Sequence, residues 1–252
     1  MKNIVNGENI VKSFGEGKEK QKVLNGVSAF VKEGEFVSVM GPSGSGKSTL
    51  MFALSGMDNI DNGKVIFDGK SLTELKESEL ADLRRTKMGF VFQQPTMLKN
   101  LNLLDNIILP AVAGNKKNTS KIIEKAKELM RKTGISGLEQ RDVTQVSGGQ
   151  LQRVGICRSL MSNPDILFGD EPTGALNSKS TQEIMDIFTN INEEGTAIML
   201  VTHDAKVAAR SERILFMSDG QIASQMQLPK FKETDMDARV KQITKKMQEI
   251  GI

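Results

Sequence analysis

The residues best suited to chemistry are the eight at 41–48, which read GPSGSGKS. They fit the spacing G-x-x-x-x-G-K-[ST] at every fixed position. Glycines let the backbone curl so that several N–H groups point at an anion, Lys47 adds a positive charge, and the hydroxyl of Ser48 can bind Mg²⁺. The spacing predicts a loop that binds the β- and γ-phosphates of a nucleoside triphosphate. The expected contacts are Gly41, Ser43, Gly44, Ser45, Gly46, Lys47, Ser48 and Thr49.

Hydrolysis of a triphosphate also needs a metal anchor and a group that orients water. The apolar run in DILFGDEPTG ends in two adjacent carboxylates, Asp170 and Glu171. Successive residues of a strand point to opposite sides, so one carboxylate can serve Mg²⁺ and the other water. We assign Asp170 to the metal and Glu171 to the general base. Acidic residues in a loop after a strand are the alternative interpretation, and the phosphate-binding pattern favours catalysis over it.

Two further polar residues close β-type runs. His203, the only histidine, ends AIMLVTH, and Gln93 follows GFVF. Because open parallel sheets gather ligands at the carboxyl ends of their strands, both should lie near Gly41 and Asp170. There His203 would contact the γ-phosphate, and Gln93 would accept from water or approach Mg²⁺. We therefore expect Lys47, Glu171, His203 and Gln93 to be catalytic, although a lone histidine is more often structural.

A second pair of glycines lies in SGGQ at 147–150, before the helical pattern LQRVGICRSLM. Ser147 can bond a phosphate oxygen, the glycines let the backbone approach, and the helix N-terminus favours an anion. The loop at 41–48 already surrounds one side of a triphosphate and leaves little room for a second nest. Two copies related by a twofold axis would instead place this segment on each other's nucleotide. The candidate contacts are Ser147, Gly148, Gly149 and Gln150.

Strands and helices must position these residues in a particular order. The β-type runs EFVSVM, GFVF, DILFG and AIMLVTH are separated by helical patterns, which predicts an α/β fold of the P-loop NTPase type with a mainly parallel sheet flanked by helices. Asp-Gly pairs within 63–72 and 213–225 predict hairpins, and we expect an antiparallel β subdomain. Helical patterns replace β-type runs at about 95–160, which predicts a helical lobe inserted into the core.

We expect a domain that binds and hydrolyses a nucleoside triphosphate over 1–230 and a C-terminal amphipathic helix over 231–252. Thr234 and Asp237 resemble a capping box at the start of that helix. The helix would pack on its own domain or offer a contact surface to a second chain. Its apolar residues, spaced alternately by four and three, are Met236, Val240, Ile243, Met247 and Ile250.

Composition narrows the classes of partner. The 252 residues are 38% hydrophobic and 26% charged, which is typical of a soluble protein, and the formal net charge of +3 is too small to indicate nucleic acid. A single cysteine, Cys157, excludes an intrachain disulfide. No stretch reaches the ~18 apolar residues of a membrane span, and the N-terminus lacks the apolar core of a signal peptide. Any membrane role is expected to come through a partner.

Six motifs in this chain resemble, in type and order, those of the nucleotide-binding subunit of an ATP-binding cassette (ABC) transporter. They are GPSGSGKST, FVFQQ, VSGGQLQR, DILFGDE, GALN and VTHD. The resemblance implies an ATPase that uses ATP and Mg²⁺ and pairs with a second copy of the chain. It also implies an integral-membrane permease as partner, which would hold the chain at the cytoplasmic face of the cell membrane. It also implies that SGGQ completes the opposite subunit's site, that Phe14 in KSFG stacks on adenine, that Gln93 faces the membrane subunit and that His203 is the switch histidine. The implied metal-binding residues are Ser48, Gln93 and Asp170.

The sequence departs from the family pattern at three places. Val146 stands where leucine usually precedes SGGQ, and Asn177 replaces the usual aspartate after GDEPTGAL. The chain also has no tyrosine or tryptophan, so Phe14 must stack without a polar group. By the resemblance, Asn177 lies in the loop that communicates with the opposite subunit, where it keeps the shape of aspartate and loses the charge.

Two longer segments resemble one branch of the family, which serves lipoprotein release, macrolide export and resistance to bacitracin and related peptides. The resemblance is greatest to the peptide-resistance members. The segments are FVFQQPTMLKNLNLLDNIILP and GDEPTGALNSKS. An ABC ATPase acting on nucleic acid or the ribosome is the alternative class, but such chains usually carry a coiled coil, zinc-binding cysteines or a second cassette. An inactive cassette is disfavoured by Glu171. Four apolar residues after Gln93 are expected to dock the membrane partner or to pack in the helical lobe, namely Met97, Leu98, Leu101 and Leu104.

Overall fold

Two β-sheets organise the chain in the computed structural model, which describes residues 2–114 and 118–252. The strands are β1 (Asn3–Phe14), β2 (Gln21–Lys32), β3 (Phe36–Met40), β4 (Asn62–Phe67), β5 (Lys70–Ser71), β6 (Met88–Phe92), β7 (Ile166–Asp170), β8 (Ala197–Val201), β9 (Arg213–Ser218) and β10 (Gln221–Gln227). The helices are α1 (Lys47–Leu54), α2 (Glu77–Lys87), α3 (Leu103–Gly114), α4 (Thr119–Lys132), α5 (Gly148–Leu160), α6 (Ser178–Glu193), α7 (Ala205–Ala208) and α8 (Met236–Glu249).

The larger sheet has six strands in the order β10-β9-β3-β8-β7-β6. All neighbouring pairs are parallel except β10 with β9. Every residue of β3 and β8 is buried, as expected for apolar strands covered on both faces. The loops after β3, β6, β7 and β8 therefore leave the same edge of the sheet, which we call the carboxyl edge. The predicted α/β fold is confirmed.

The smaller sheet is antiparallel, with the order β2-β1-β4-β5. Asp68 and Gly69 link β4 to β5, and Asp219 and Gly220 link β9 to β10. All four residues have positive φ, the conformation that two-residue hairpin turns of type I′ require. Both predicted hairpins and the antiparallel sheet are confirmed.

Helices α3, α4 and α5 lie between β6 and β7 and share a buried apolar cluster. Cys157 belongs to this cluster, and burial raises the pKa of its thiol to about 12, so the thiol stays protonated and unreactive. Leu104 is buried there and Met97 packs against the same residues, so for these two the packing alternative holds. We propose that 95–160 is the inserted helical lobe.

Helix α8 packs on its own domain, as one of the two expectations had it. Ile243 is fully buried beside Met40 and Phe216 of the larger sheet. The predicted capping box is wrong, because a 3-10 turn at Glu233–Asp235 precedes the helix and Thr234 donates its hydroxyl to Asp235 instead. No helix among the described residues has the length and apolarity to cross a bilayer.

Arg239 connects α8 to the rest of the domain through hydrogen bonds. Its buried guanidinium donates to the carbonyl oxygens of Ala209 at 2.6 Å, Pro229 at 2.8 Å and Ser211 at 2.5 Å. Ala209 and Ser211 lie between α7 and β9, and Pro229 follows β10. A single side chain therefore holds the C-terminal helix against the edge of the larger sheet.

We predict that Arg239→Met lowers the free energy of unfolding by about 3 kcal/mol, because it leaves buried carbonyl groups without a donor. Lys245→Met is the matched control on the same helix, since Lys245 is exposed and should change stability by less than about 0.5 kcal/mol. Urea unfolding of both variants provides the measurement. Equal stabilities would show that α8 is not anchored through Arg239.

Candidate functional site

The segment 41–49, called the phosphate loop below, follows β3 at the carboxyl edge and includes the first residues of α1. A Cβ on Gly41 would lie 2.2 Å from the carbonyl oxygen of Met217, so only glycine fits there without a shift of the backbone. Gly46 precedes the helix with φ of 95°, in the left-handed region that favours glycine. Two of the predicted glycines are therefore required by the local geometry.

The phosphate loop presents hydrogen-bond donors without partners. The backbone N–H groups of 46–49 find no acceptor within the described chain, and they lie at the positive end of α1. Ser45 holds the only buried side-chain oxygen or nitrogen of the described residues that lacks a hydrogen bond. Lys47 donates to the carbonyl of Pro42 at 2.8 Å. Such a group of donors suits an anion of several oxygens.

Burial lowers the pKa of Lys47, and the neighbouring charges of Glu171 and Asp170 oppose that change. Of these two carboxylates, Asp170 ends β7 and Glu171 follows it directly. The phosphate loop and the carboxylates therefore interact across the carboxyl edge, as their positions after parallel strands predicted.

Asp170 and Ser48 form the oxygen pair of the site. The hydroxyl of Ser48 donates to Oδ1 of Asp170 at 2.7 Å. Burial raises the pKa of Asp170, while the bond from Ser48 and the charge of Lys47 lower it. Among the described residues no three His, Cys, Asp or Glu side chains form a metal-binding group. The pair is therefore suited to a hard cation that takes its remaining ligands from phosphate and water.

Glu171 and His203 form the second pair. Nδ1 of His203 lies 3.2 Å from Oε1 of Glu171, and the backbone N–H of Glu171 donates to the carbonyl of Val201 at 3.0 Å. Glu171 has φ of 46°, so the expectation that strand geometry continues through it is wrong. A left-handed residue at the end of β7, and not the alternation of a strand, separates the two carboxylates. This conformation is uncommon outside glycine and asparagine.

Gln93 borders the same carboxylate through Gly174. A Cβ on Gly174 would lie 2.8 Å from Nε2 of Gln93 and 3.2 Å from Oε2 of Glu171. Sequence reasoning did not single out Gly174, although its place in GDEPTG, three residues after Glu171, was visible. Glycine here keeps the side chains of Gln93 and Glu171 close together.

The SGGQ segment, residues 147–150, begins α5 and is not joined to the phosphate loop. Ser147 accepts from the N–H of Gln150 at 3.3 Å, and Oε1 of Gln150 accepts from the N–H of Ser147 at 2.9 Å, which makes a capping box. The side chains nearest to a Cβ on Gly148 and Gly149 belong to Leu176 and Ser180. Ser147 and Gly148 are exposed to solvent.

Phe14 ends β1 and is 47% exposed, the most of any large apolar side chain described. The ammonium of Lys12 lies 4.9 Å from the centre of its ring. An exposed ring at a strand end can stack on a base.

Asn177 caps α6, because its Oδ1 accepts from the N–H of Ser180 at 2.9 Å. Asparagine and aspartate are about equally effective at this position. The replacement of aspartate therefore preserves the local fold while removing the charge.

The comparisons agree with this geometry. The family model described as "ABC transporter" matches residues 24–174, and the chain belongs to that family. It is 41% identical to the bacitracin export ATP-binding protein BceA of Halalkalibacterium halodurans, over 88% of each chain. It is 42% identical to the lipoprotein-releasing system ATP-binding protein LolD of Aquifex aeolicus, over 90% of this chain and 99% of that one.

The chain is also 41% identical to the macrolide export ATP-binding/permease protein MacB of Aggregatibacter actinomycetemcomitans, over 89% of its own length. It spans about a third of that relative, 35% of its length. A solved dimeric ATP-binding cassette with ADP and Pi bound shares 37% identity and a TM-score of 0.83, over 90% of this chain and 100% of that one. The chain is thus an ATP-binding cassette ATPase.

Proposed function

We propose that the chain is the ATP-hydrolysing subunit of a membrane ABC exporter. One observation carries the catalytic part of the proposal: the Ser48–Asp170 pair and the His203–Glu171 pair meet beside the phosphate loop at the carboxyl edge. A phosphate loop alone would support binding. The addition of a carboxylate paired with a histidine supports cleavage, because water attacking a phosphoryl group needs a base.

In this proposal each residue of the site has a separate role in ATP binding or hydrolysis. The phosphate loop and Lys47 bind the triphosphate, and Ser48, Asp170 and Gln93 would hold Mg²⁺. That ion neutralises charge on the phosphate oxygens when bound. Glu171 accepts a proton from water, and His203, oriented by Glu171, contacts the γ-phosphate.

A second copy of the chain completes each site in this proposal. The exposed SGGQ segment has unused donors at the start of α5, where a helix N-terminus favours an anion. The dimeric assembly of the similar solved cassette supports a pairing of two copies. Each nucleotide would then lie between the phosphate loop of one copy and the SGGQ segment of the other.

The proposed partner is an integral-membrane permease, since the MacB relative is named as an ATP-binding protein and permease in one chain. The permease would hold this chain at the cytoplasmic face of the membrane. The named relatives serve bacitracin export, macrolide export and lipoprotein release. Of these, we propose resistance to bacitracin-like peptides.

Purification from native membranes, with identification of the bound subunit, tests the partner. Nucleic acid or ribosomal protein in its place would favour the alternative class.

Leu98 is the best candidate for contact with the permease. It follows Gln93 by five residues and is 46% exposed, whereas its neighbours Met97 and Leu104 pack inward. We predict that Leu98→Asp sharply reduces co-purification with the membrane subunit and leaves ATP binding unchanged, because a buried interface would have to desolvate the new charge. Met57→Asp is the control, since Met57 is 45% exposed beyond the end of α1. Equal co-purification of the two variants would contradict docking through Leu98.

A further inference from the structure

Lys12 is a buried lysine whose ammonium faces the segment after α1 and the ring of Phe14. Only 9% of the residue is exposed. The ammonium donates to Oδ1 of Asp58 at 2.7 Å and to the carbonyl oxygen of Asn59 at 2.5 Å, and it lies 4.9 Å from the centre of the Phe14 ring. A lysine held by two oxygens against an aromatic face has little freedom to move.

The oxygens that hold Lys12 belong to the segment just after α1. The N–H of Asp58 donates to the carbonyl of Phe52 in α1, and the N–H of Asp61 donates to the carbonyl of Val11 in β1 at 2.7 Å. The end of β1 is thus joined to the end of the helix whose beginning forms the phosphate loop. The distance between Phe14 and the phosphate-binding donors is therefore fixed through a short, bonded path.

We infer that Lys12 is a positioning residue for the nucleotide base: it packs against the Phe14 ring, held by Asp58 and Asn59, so that the ring is presented at a set distance from the phosphate loop. Phenylalanine needs such support more than tyrosine does, because it has no hydroxyl through which its orientation can be fixed. The inference rests on the proposed stacking of Phe14 on adenine.

The test compares ATP with inorganic tripolyphosphate, which has the phosphates and lacks the base. Lys12→Met removes the ammonium and keeps most of the length of the side chain, and Lys12→Arg keeps a cation. Lys22→Met is the matched control, because Lys22 lies on the neighbouring strand and its ammonium bonds Asn25. Affinities are measured by titration calorimetry, and thermal unfolding of every variant confirms that it is folded.

We expect Lys12→Met to weaken ATP binding about 2- to 5-fold, the range of a cation–π contact to a ring that is half exposed, while tripolyphosphate binding is unchanged. Lys12→Arg should keep most of the ATP affinity, and Lys22→Met should keep all of it. Phe14→Ala should weaken ATP binding more, about 5- to 150-fold, and adding Lys12→Met to it should cause no further loss.

Different results would contradict the positioning role of Lys12 and the stacking role of Phe14 on which it rests. Equal weakening of ATP and tripolyphosphate by Lys12→Met, or no weakening of either, would overturn the positioning role alone. An additional loss in the double variant would also overturn it, because Lys12 would then act independently of Phe14. If Phe14→Ala leaves the affinity for ATP unchanged, both the stacking role of Phe14 and the inference built on it are wrong.

Discussion

Glu171→Gln is expected to lower the rate of ATP hydrolysis about 10²- to 10⁴-fold, because the amide keeps the shape of the side chain and cannot accept a proton from water. Binding of ATP and Mg²⁺ should persist, since Ser48, Asp170 and the donors of the phosphate loop are unchanged. With hydrolysis blocked, the ATP-bound form accumulates and a stable dimer should form. Phosphate release and size-exclusion chromatography, with and without ATP, provide the measurements.

Glu194→Gln is the control for a change of charge. Glu194 is exposed and pairs with Lys132 at 3.0 Å, outside the site, so this variant should hydrolyse ATP and behave like the unaltered chain on the column. A Glu171→Gln protein that binds nucleotide yet stays monomeric at high ATP would count against a closed dimer with two sites. Unchanged hydrolysis in that variant would instead remove Glu171 from the role of general base.

The second large effect concerns the subunit on which the SGGQ segment acts. Lys47→Ala removes the cation of the phosphate loop, and Ser147→Arg places a bulky side chain where a backbone must approach. Each homodimer should hydrolyse little ATP, since both of its sites are damaged. If SGGQ completes the partner's site, a mixed dimer contains one site with both lesions and one with neither. Mixing the two variants should therefore restore hydrolysis, whereas action within one chain predicts no restoration.

Ser147 also caps α5, so its replacement lowers stability. This loss must be separated from the steric effect of the larger arginine side chain. Loss of the cap costs about 1 kcal/mol of stability. Ser147→Ala removes the cap without adding bulk and serves as the control, with thermal unfolding measured for each variant. If both sites must act together, mixing would restore nothing even when SGGQ acts on the partner. ATP-dependent dimerisation of the mixture is therefore measured alongside.

The sequence by itself determined the sheet, the hairpins and the residues that meet at the carboxyl edge. Lys47, Ser48, Asp170 and His203 could be predicted because glycine spacing and the ends of apolar strands are local signals, and parallel strands bring their ends together. The Asp-Gly turns were equally local, since positive φ at both positions is a property of the residues themselves.

Only the tertiary structure decided which apolar and polar side chains face which neighbours. Leu98 and Leu104 are the same residue type in the same apolar stretch of the sequence. Leu104 is buried in the cluster shared with α4 and α5, whereas Leu98 is exposed. The left-handed backbone of Glu171 occurs together with a hydrogen bond to Val201 at the end of β8. The ammonium of Lys12 beside Phe14 is held by Asp58, 46 residues from Lys12 along the chain. Contacts between residues distant in sequence carry no local periodicity, so no pattern along the chain could show them.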